Sequence, residues 1–275
     1  MDSQALCERI VHLPCWAGGV DVSVLHGGMT NRNFIVRQSD GQRFVVRCGK
    51  DLPAHGVMRF NELAAARAAH AAGLSPEVVY ATEGMLVSRF VDGRTLAAED
   101  VRDPARMAAI VGLIRRCHED IPRQMRGPSL VFWVFQVVRN YLGTLGDSGR
   151  NPLGLDLADL GQRSAWLEQR VGPVNIVFGH NDLLAANLID DGTRLWLIDW
   201  DYAGFNSPLF DLANLSSNNA FTPDQDSALL EAYFGGHAGS QRRGFEAMKC
   251  ASLLRELLWA AESLVSSSID HDYRA

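Results

Sequence analysis

Residues 177–201 constrain this chain more tightly than any other stretch. Val177-Phe178-Gly179 runs into His180-Asn181-Asp182, Asn187 follows Asp182 by five positions, and the apolar run Leu195-Trp196-Leu197-Ile198 delivers Asp199. A carboxylate at the end of an apolar strand lies at the mouth of a core, where it is costly without a partner and sensible beside a cation. Two carboxylates and a carboxamide in this order suit phosphoryl transfer from Mg-ATP. One carboxylate accepts the proton of an attacking hydroxyl, and the other two groups hold Mg²⁺ against the phosphates. The stretch therefore predicts an enzyme.

Asp182 is the candidate general base, a role worth roughly 10²–10⁴ in rate. Its bland alternative is to cap a helix beginning near Leu183. Asn187 and Asp199 are the candidate metal ligands, because hard oxygen donors suit a Mg²⁺ that keeps several waters and phosphate oxygens. As purely structural groups they would be a turn residue and a strand end. Asp201, two positions further on, reads equally as an acidic group near metal or substrate and as a solvated charge.

Periodicity divides the rest of the chain in two. Apolar alternation predicts strands over 20–24, 33–37, 43–47, 78–80 and 85–90, with a hairpin at Ser39-Asp40-Gly41. The Ala-, Leu-, Glu- and Arg-rich run 57–72 predicts one helix, stopped by Gly73. Beyond residue 90 the spacing turns helical over 104–118, 130–145 and 157–171, with another helix starting at Thr222-Pro223 and a tract over 240–266 as one helix or two. Strands return at 187–189 and 195–198 around the turn Asp191-Gly192. The expected fold class is α+β, a small β-rich N-terminal lobe over 1–91 that binds nucleotide and a larger helical C-terminal lobe over 92–275 that carries catalysis and substrate binding.

Composition narrows the partners. A net charge of −6 argues against a nucleic-acid binder, which would show a basic stripe, and leaves room for a cationic substrate. Five cysteines without a CxxC pair fit a reducing cytoplasm. The start Met1-Asp2-Ser3-Gln4 lacks the features of a signal peptide, and no apolar run approaches the ~18 residues of a membrane span. Cytoplasmic location without membrane insertion is the expectation. The histidines show no zinc-ligand spacing.

Three further sets of residues fit the same chemistry. Gly27-Gly28-Met29-Thr30-Asn31-Arg32-Asn33 lies between two strands, and Gly28, Thr30 and Asn31 could cover phosphates with backbone and side-chain donors. Arg47, on the next strand, could bind phosphate and pair with Glu62 on the following helix, with Lys50 as a rival cation. Aromatic residues crowd the C-terminal half. Phe132, Phe135 and Tyr141 suit a core, whereas Trp259 and Tyr273 could help box a quaternary ammonium, at ~0.5–2 kcal/mol per cation–π contact.

Gly27 to Phe34, His180 to Asn187 and Leu195-Trp196-Leu197-Ile198-Asp199-Trp200-Asp201-Tyr202-Ala203-Gly204 together resemble the choline/ethanolamine kinase family, within the aminoglycoside phosphotransferase group of protein-kinase-like fold. The likeness continues through Ser207-Pro208-Leu209-Phe210-Asp211-Leu212-Ala213-Asn214 and covers about 20–270. It implies ATP- and Mg²⁺-dependent phosphorylation of a small alcohol, with Asp182 as base and Asn187 and Asp199 on Mg²⁺. Phosphates would lie against Thr30, Asn31 and Arg47, and adenine near Arg89 to Val91. Asp201, Tyr202, Trp259, Glu262 and Tyr273 are the implied substrate residues. Trp259 matches an aromatic wall of the choline pocket, but Ala260-Ala261-Glu262-Ser263 stands where eukaryotic choline kinases carry a second tryptophan. Glu262 could favour a primary amine or complement a cation by charge.

Choline or ethanolamine is thus the expected acceptor. The same catalytic residues could serve an aminoglycoside, thiamine or a sugar-like alcohol. An inactive nucleotide-binding pseudokinase is the reading from another class, and the presence of Asp182, Asn187 and Asp199 together speaks against it.

Overall fold

Alternation in the first ninety residues folds into one antiparallel sheet, seen in the computed structural model, which describes residues 3–25 and 31–266. After helix α1 (Ser3–Val11) come β1 (Val20–Leu25), β2 (Arg32–Gln38), β3 (Arg43–Cys48), α2 (Arg59–Ala71), β4 (Val78–Thr82) and β5 (Met85–Arg89). The five strands lie in the order β1-β2-β3-β5-β4. Because successive side chains on a strand point to opposite faces, Phe34, Val36, Phe44, Val46, Met85 and Val87 form a core with Leu6 and Ile10 of α1. The residues between them, Ile35, Val45, Arg47, Leu86 and Ser88, therefore face the other way, into a cavity. Helix α1 is an element that the sequence pattern did not reveal.

The remainder is mainly helical. It comprises β6 (Arg94–Thr95), α3 (Ala98–Arg102), α4 (Pro104–Gln124), α5 (Val134–Ser148), α6 (Leu157–Val171), β7 (Val177–Gly179), β8 (Leu188–Asp190), β9 (Leu195–Leu197), β10 (Gly204–Asn206), α7 (Pro208–Asn218), α8 (Pro223–Phe234) and α9 (Ala238–Ser266). Strand β7 pairs with β10, and β6, β8 and β9 form a three-stranded sheet. Caps set the helix starts: Asp103 accepts the N–H of Ala105 ahead of α4, and Thr222 with Gln225 closes a capping box on α8. Ile110, Ile114, Cys117 and Ile121 of α4 pack with Phe178, Leu197 and Leu212 in the main core.

Two expected helices change. The one placed at 130–145 begins at Val134, because Leu130 and Phe132 exchange backbone hydrogen bonds with Phe205 at 2.9 Å each. The tract at 240–266 is one unbroken helix of 29 residues. Among the described residues no helix is long and apolar enough to cross a membrane.

Candidate active site

The segment after β7 is pinned by side chains rather than by regular structure. Asp211, near the start of α7, accepts the backbone N–H of His180 at 2.9 Å and of Asn181 at 2.7 Å. Asn181 adopts a left-handed backbone, with φ of 64°, and its Nδ2 donates to the carbonyl of Tyr202 at 2.9 Å. One turn along α7, Asn214 accepts the N–H of Leu183 at 2.6 Å. The chain is thereby held so that Asp182 projects from an ordered loop. No helix begins at Leu183; only a single 3₁₀ turn, Ala185–Asn187, follows. Asp182 is therefore not a helix cap. Burial pushes its carboxyl up to about 7, with Arg255 opposing and Glu256, Asp199 and Asp201 reinforcing the rise.

Asp199 stands just past β9 with φ of 71°, a backbone costly for any residue but glycine. The strain is held from behind, where the His180 ring nitrogen Nε2 meets the carbonyl of Ile198 at 2.9 Å. In front, Asp199 Oδ1 lies 2.5 Å from Arg47 Nη2. Arg47 Nη1 also reaches Glu62 Oε1 at 2.5 Å and Asp201 Oδ1 at 3.2 Å. Arg59 completes the network from α2, touching Glu62 Oε2 at 2.6 Å and Asp201 Oδ1 at 2.8 Å, and Asn31 Nδ2 donates to Asp201 Oδ2 at 2.9 Å. Asp201 is buried, which removes the solvated-charge alternative. Burial raises the Asp201 carboxyl; at Asp199 burial is outweighed by the charge and hydrogen bond of Arg47, which hold it below the ordinary range.

The ionic cluster closes one end of a cavity of about 350 Å³. Apolar residues of the sheet face Ile189 and Ile198 across it, and Arg89, Phe90 and Val91 line the opposite end. The expected phosphate-side and base-side residues, Arg47, Glu62, Asp199, Arg89 and Val91, thus share one cavity. Gly28, Thr30 and Tyr273 lie outside the described residues.

A divalent cation fits the donor set beside it. Asn187 spends its Nδ2 on the carbonyl of Asp182 at 2.9 Å, which leaves Oδ1 as the acceptor end of the amide. Asp199 contributes a carboxylate that is one-third exposed. Among the described residues no cage of three or more His, Cys, Asp or Glu groups is formed. Two oxygen donors with room for waters and phosphate oxygens match Mg²⁺ rather than a tightly caged ion.

The expected substrate residues divide between two settings. Trp259 Nε1 donates to Tyr202 Oη at 2.9 Å, and both rings are buried. Glu262 lies 2.8 Å from His55 Nε2, and the other ring nitrogen of His55 meets Tyr141 Oη at 3.1 Å. Asp201 belongs to the arginine network instead. The sequence reading missed Arg59, His55 and Arg255. Only Arg59 left a local signal, its spacing of three from Glu62 on one helix face. Arg255 is buried on α9 with its guanidinium 4.4 Å from the centre of the Tyr202 ring and Nη1 3.6 Å from Asp182 Oδ1.

The chain is similar to known proteins in sequence and in fold. A family model described as Choline/ethanolamine kinase matches residues 22–228. Protein LicA of Haemophilus influenzae is 29% identical over 213 residues, which are 75% of this chain and 61% of that protein; the match thus leaves more than a third of LicA uncovered. A choline/ethanolamine kinase family protein from Mesorhizobium loti, solved as a crystal structure, superposes with a TM-score of 0.79 at 29% identity, covering 100% of this chain and 90% of its own. An aminoglycoside phosphotransferase, solved as a ternary complex with AMP-PNP and hygromycin B, gives a TM-score of 0.68 at 18% identity over 95% of this chain and 92% of its own, a likeness of fold.

Proposed function

The chain belongs to the choline/ethanolamine kinase family, and we propose that it transfers the γ-phosphoryl group of ATP to the hydroxyl of a small amino alcohol, choline or ethanolamine. The observation that carries the reading is convergence. Asp199, Arg47 and Glu62 meet at the ionic end of the cavity, and on the same stretch of chain as Asp199 the Asn187 Nδ2 donates to the carbonyl of Asp182 at 2.9 Å. A phosphate placed there meets a guanidinium on one wall and an attacking hydroxyl on the other.

In this reading Asp182 takes the hydroxyl proton or orients the lone pair, and a carboxyl raised to about 7 is a better base at neutral pH than an ordinary aspartate. Asn187 and Asp199 would hold Mg²⁺, which when bound offsets the charge of the phosphates. Arg47, fixed by Glu62, addresses phosphate oxygens together with Asn31, and Gly28 and Thr30, outside the described residues, belong to the same proposal. Adenine lies between the sheet and Ile189, against Arg89 to Val91. An aminoglycoside phosphotransferase of the same fold was solved with AMP-PNP, which supports a nucleotide as the phosphoryl donor. The division at residues 91 and 92 into a nucleotide lobe and a catalytic lobe belongs to the same proposal. Tyr202 and Trp259 form the aromatic wall for the alcohol, with Glu262 on the same helix as Trp259; Tyr273, outside the described residues, belongs to the same proposal.

Purified protein with Mg-ATP and separate choline, ethanolamine, thiamine and aminoglycoside acceptors tests the reading. Phosphorylated choline or ethanolamine is expected. Turnover confined to thiamine or the aminoglycoside would overturn the acceptor, and no turnover of any would overturn the activity.

A further inference from the structure

Helix α9 carries a charged pair that the reading above leaves unused. Arg255 is 2% exposed, and its guanidinium packs on the rings of Tyr202 and Phe132. An apolar side chain would fill that space without the desolvation of a buried cation. Nε makes no hydrogen bond among the described residues. The cation is instead spent on two carboxylates through one nitrogen: Nη1 holds Glu256 Oε1 in a short ion pair and lies 3.6 Å from Asp182 Oδ1. Sharing that nitrogen places the two carboxylates within about 6 Å of each other.

Glu256 differs from its anchor in being reachable. Its side chain is 42% exposed, and among the described residues Oε2 makes no hydrogen bond. The helix turns it to the border between the buried face of Arg255 and Trp259 and the exposed face of Leu253 and Leu257. Trp259 lies three residues on, on the same side of the helix.

We propose that Glu256, clamped by Arg255, receives the ammonium group of the acceptor while Asp182 on the same guanidinium addresses its hydroxyl; the inference rests on the phosphotransferase reading. Reach supports it. Staggered rotamers hold the nitrogen and oxygen of a two-carbon amino alcohol about 3–4 Å apart. A charge-assisted hydrogen bond of about 2.8 Å at each end completes a bent span of about 6 Å. Charge supports it as well, since one guanidinium between two carboxylates leaves one net negative charge for one ammonium. A protonated primary amine can donate a hydrogen bond to Oε2, whereas a quaternary ammonium offers only charge. The class selected is therefore a primary 2-amino alcohol such as ethanolamine.

Glu256→Gln tests this with ethanolamine, choline and 3,3-dimethylbutan-1-ol, the uncharged isostere of choline. The wild-type to variant ratio of kcat/KM is expected at roughly 10–100 for ethanolamine, lower for choline and below about 3 for the neutral alcohol, with the ethanolamine loss mainly in KM. Glu256→Asp, which keeps the charge but retracts it, is expected to fall between. An equal ratio for charged and neutral alcohols would overturn the inference while leaving the kinase reading standing. Calorimetry of ethanolamine binding in the presence of AMP-PNP gives a readout that needs no transfer. Binding that depends on Glu256 without turnover would sustain the inference and overturn the activity, and no binding by the wild type would overturn the inference.

Discussion

Asp182 has a carboxylate that no regular element holds, so its position depends on groups around it. Asp182→Ala is expected to lower kcat by about 10²–10⁴, while nucleotide affinity stays within a few-fold because the residues along the cavity are untouched. A fluorescent-nucleotide titration beside the rate assay checks both halves, and undiminished turnover would remove Asp182 from its role. Asp211 is the support behind it. Burial disfavours its charge, but the hydrogen bond and charge of His118 and the N–H of Asn181 outweigh burial and hold its carboxyl below the ordinary range. A carboxyl lowered on folding adds stability above its unfolded value of about 3.9, and that contribution is lost as pH falls through the folded value. Asp211→Asn is thus expected to cost about 3–5 kcal/mol at pH 7, with the gap to wild type steady down to about pH 5 and shrinking below about pH 4. Urea unfolding of both proteins across that range checks it; a gap that widens in acid would contradict the assignment. Asp182, Asn187 and Asp199 were legible because one short stretch of chain sets their spacing. Arg255 and His55 meet the site from distant elements, and nothing local to them announces the encounter.

Elements were legible in proportion to the length and one-sidedness of their burial. Strands β2, β3 and β5 alternate cleanly, and α4 and α6 carry amphipathic stripes, so period alone finds them. Helix α7 has nine consecutive buried residues, Pro208 to Ser216, and a helix buried all round shows no stripe. Strands β7 and β10 have three residues each, too few for alternation to register. Their pairing also explains why α5 starts late. The chain at Leu130 is drawn to β10 before the helix can begin, and Gly204 permits the approach: a Cβ there would lie 2.7 Å from the carbonyl oxygen of Leu130. Because that neighbour is backbone, it cannot swing away. Gly204→Ala is expected to cost about 1–3 kcal/mol in chemical unfolding, as overpacking does elsewhere. A stability within 0.5 kcal/mol or so of wild type would mean that the 130–132 segment gives way freely.

Across the whole molecule the sheet and the helical portion meet through charge at the cavity's ionic end. Arg47 and Arg59 come from the first half of the chain and hold Asp199 and Asp201 of the second, with Glu62 between them. Three carboxylates against two guanidiniums leave one negative charge, and Arg47 serves as the counter-ion of Asp199. Phosphate oxygens compete for Arg47, so a nucleotide without a divalent cation would leave Asp199 facing added negative charge. Mg²⁺ reverses that penalty by giving Asp199 a cation of its own. Nucleotide and metal are therefore expected to stabilise the fold together more than in sum. At a hundred times Kd, Mg-AMP-PNP should add about 2.7 kcal/mol, roughly 5–10 °C in Tm for a chain of this size. AMP-PNP with EDTA should give less than half that rise. Arg47→Met should have a lower Tm without ligand, because Asp199 and Glu62 lose a buried partner, and should gain little from Mg-AMP-PNP because the phosphates lose theirs. Thermal melts of wild type and variant under the three conditions separate the alternatives. Equal rises with and without Mg²⁺ would show that Asp199 is not the metal's carboxylate, and a full rise in Arg47→Met would show that the phosphates lie away from Arg47.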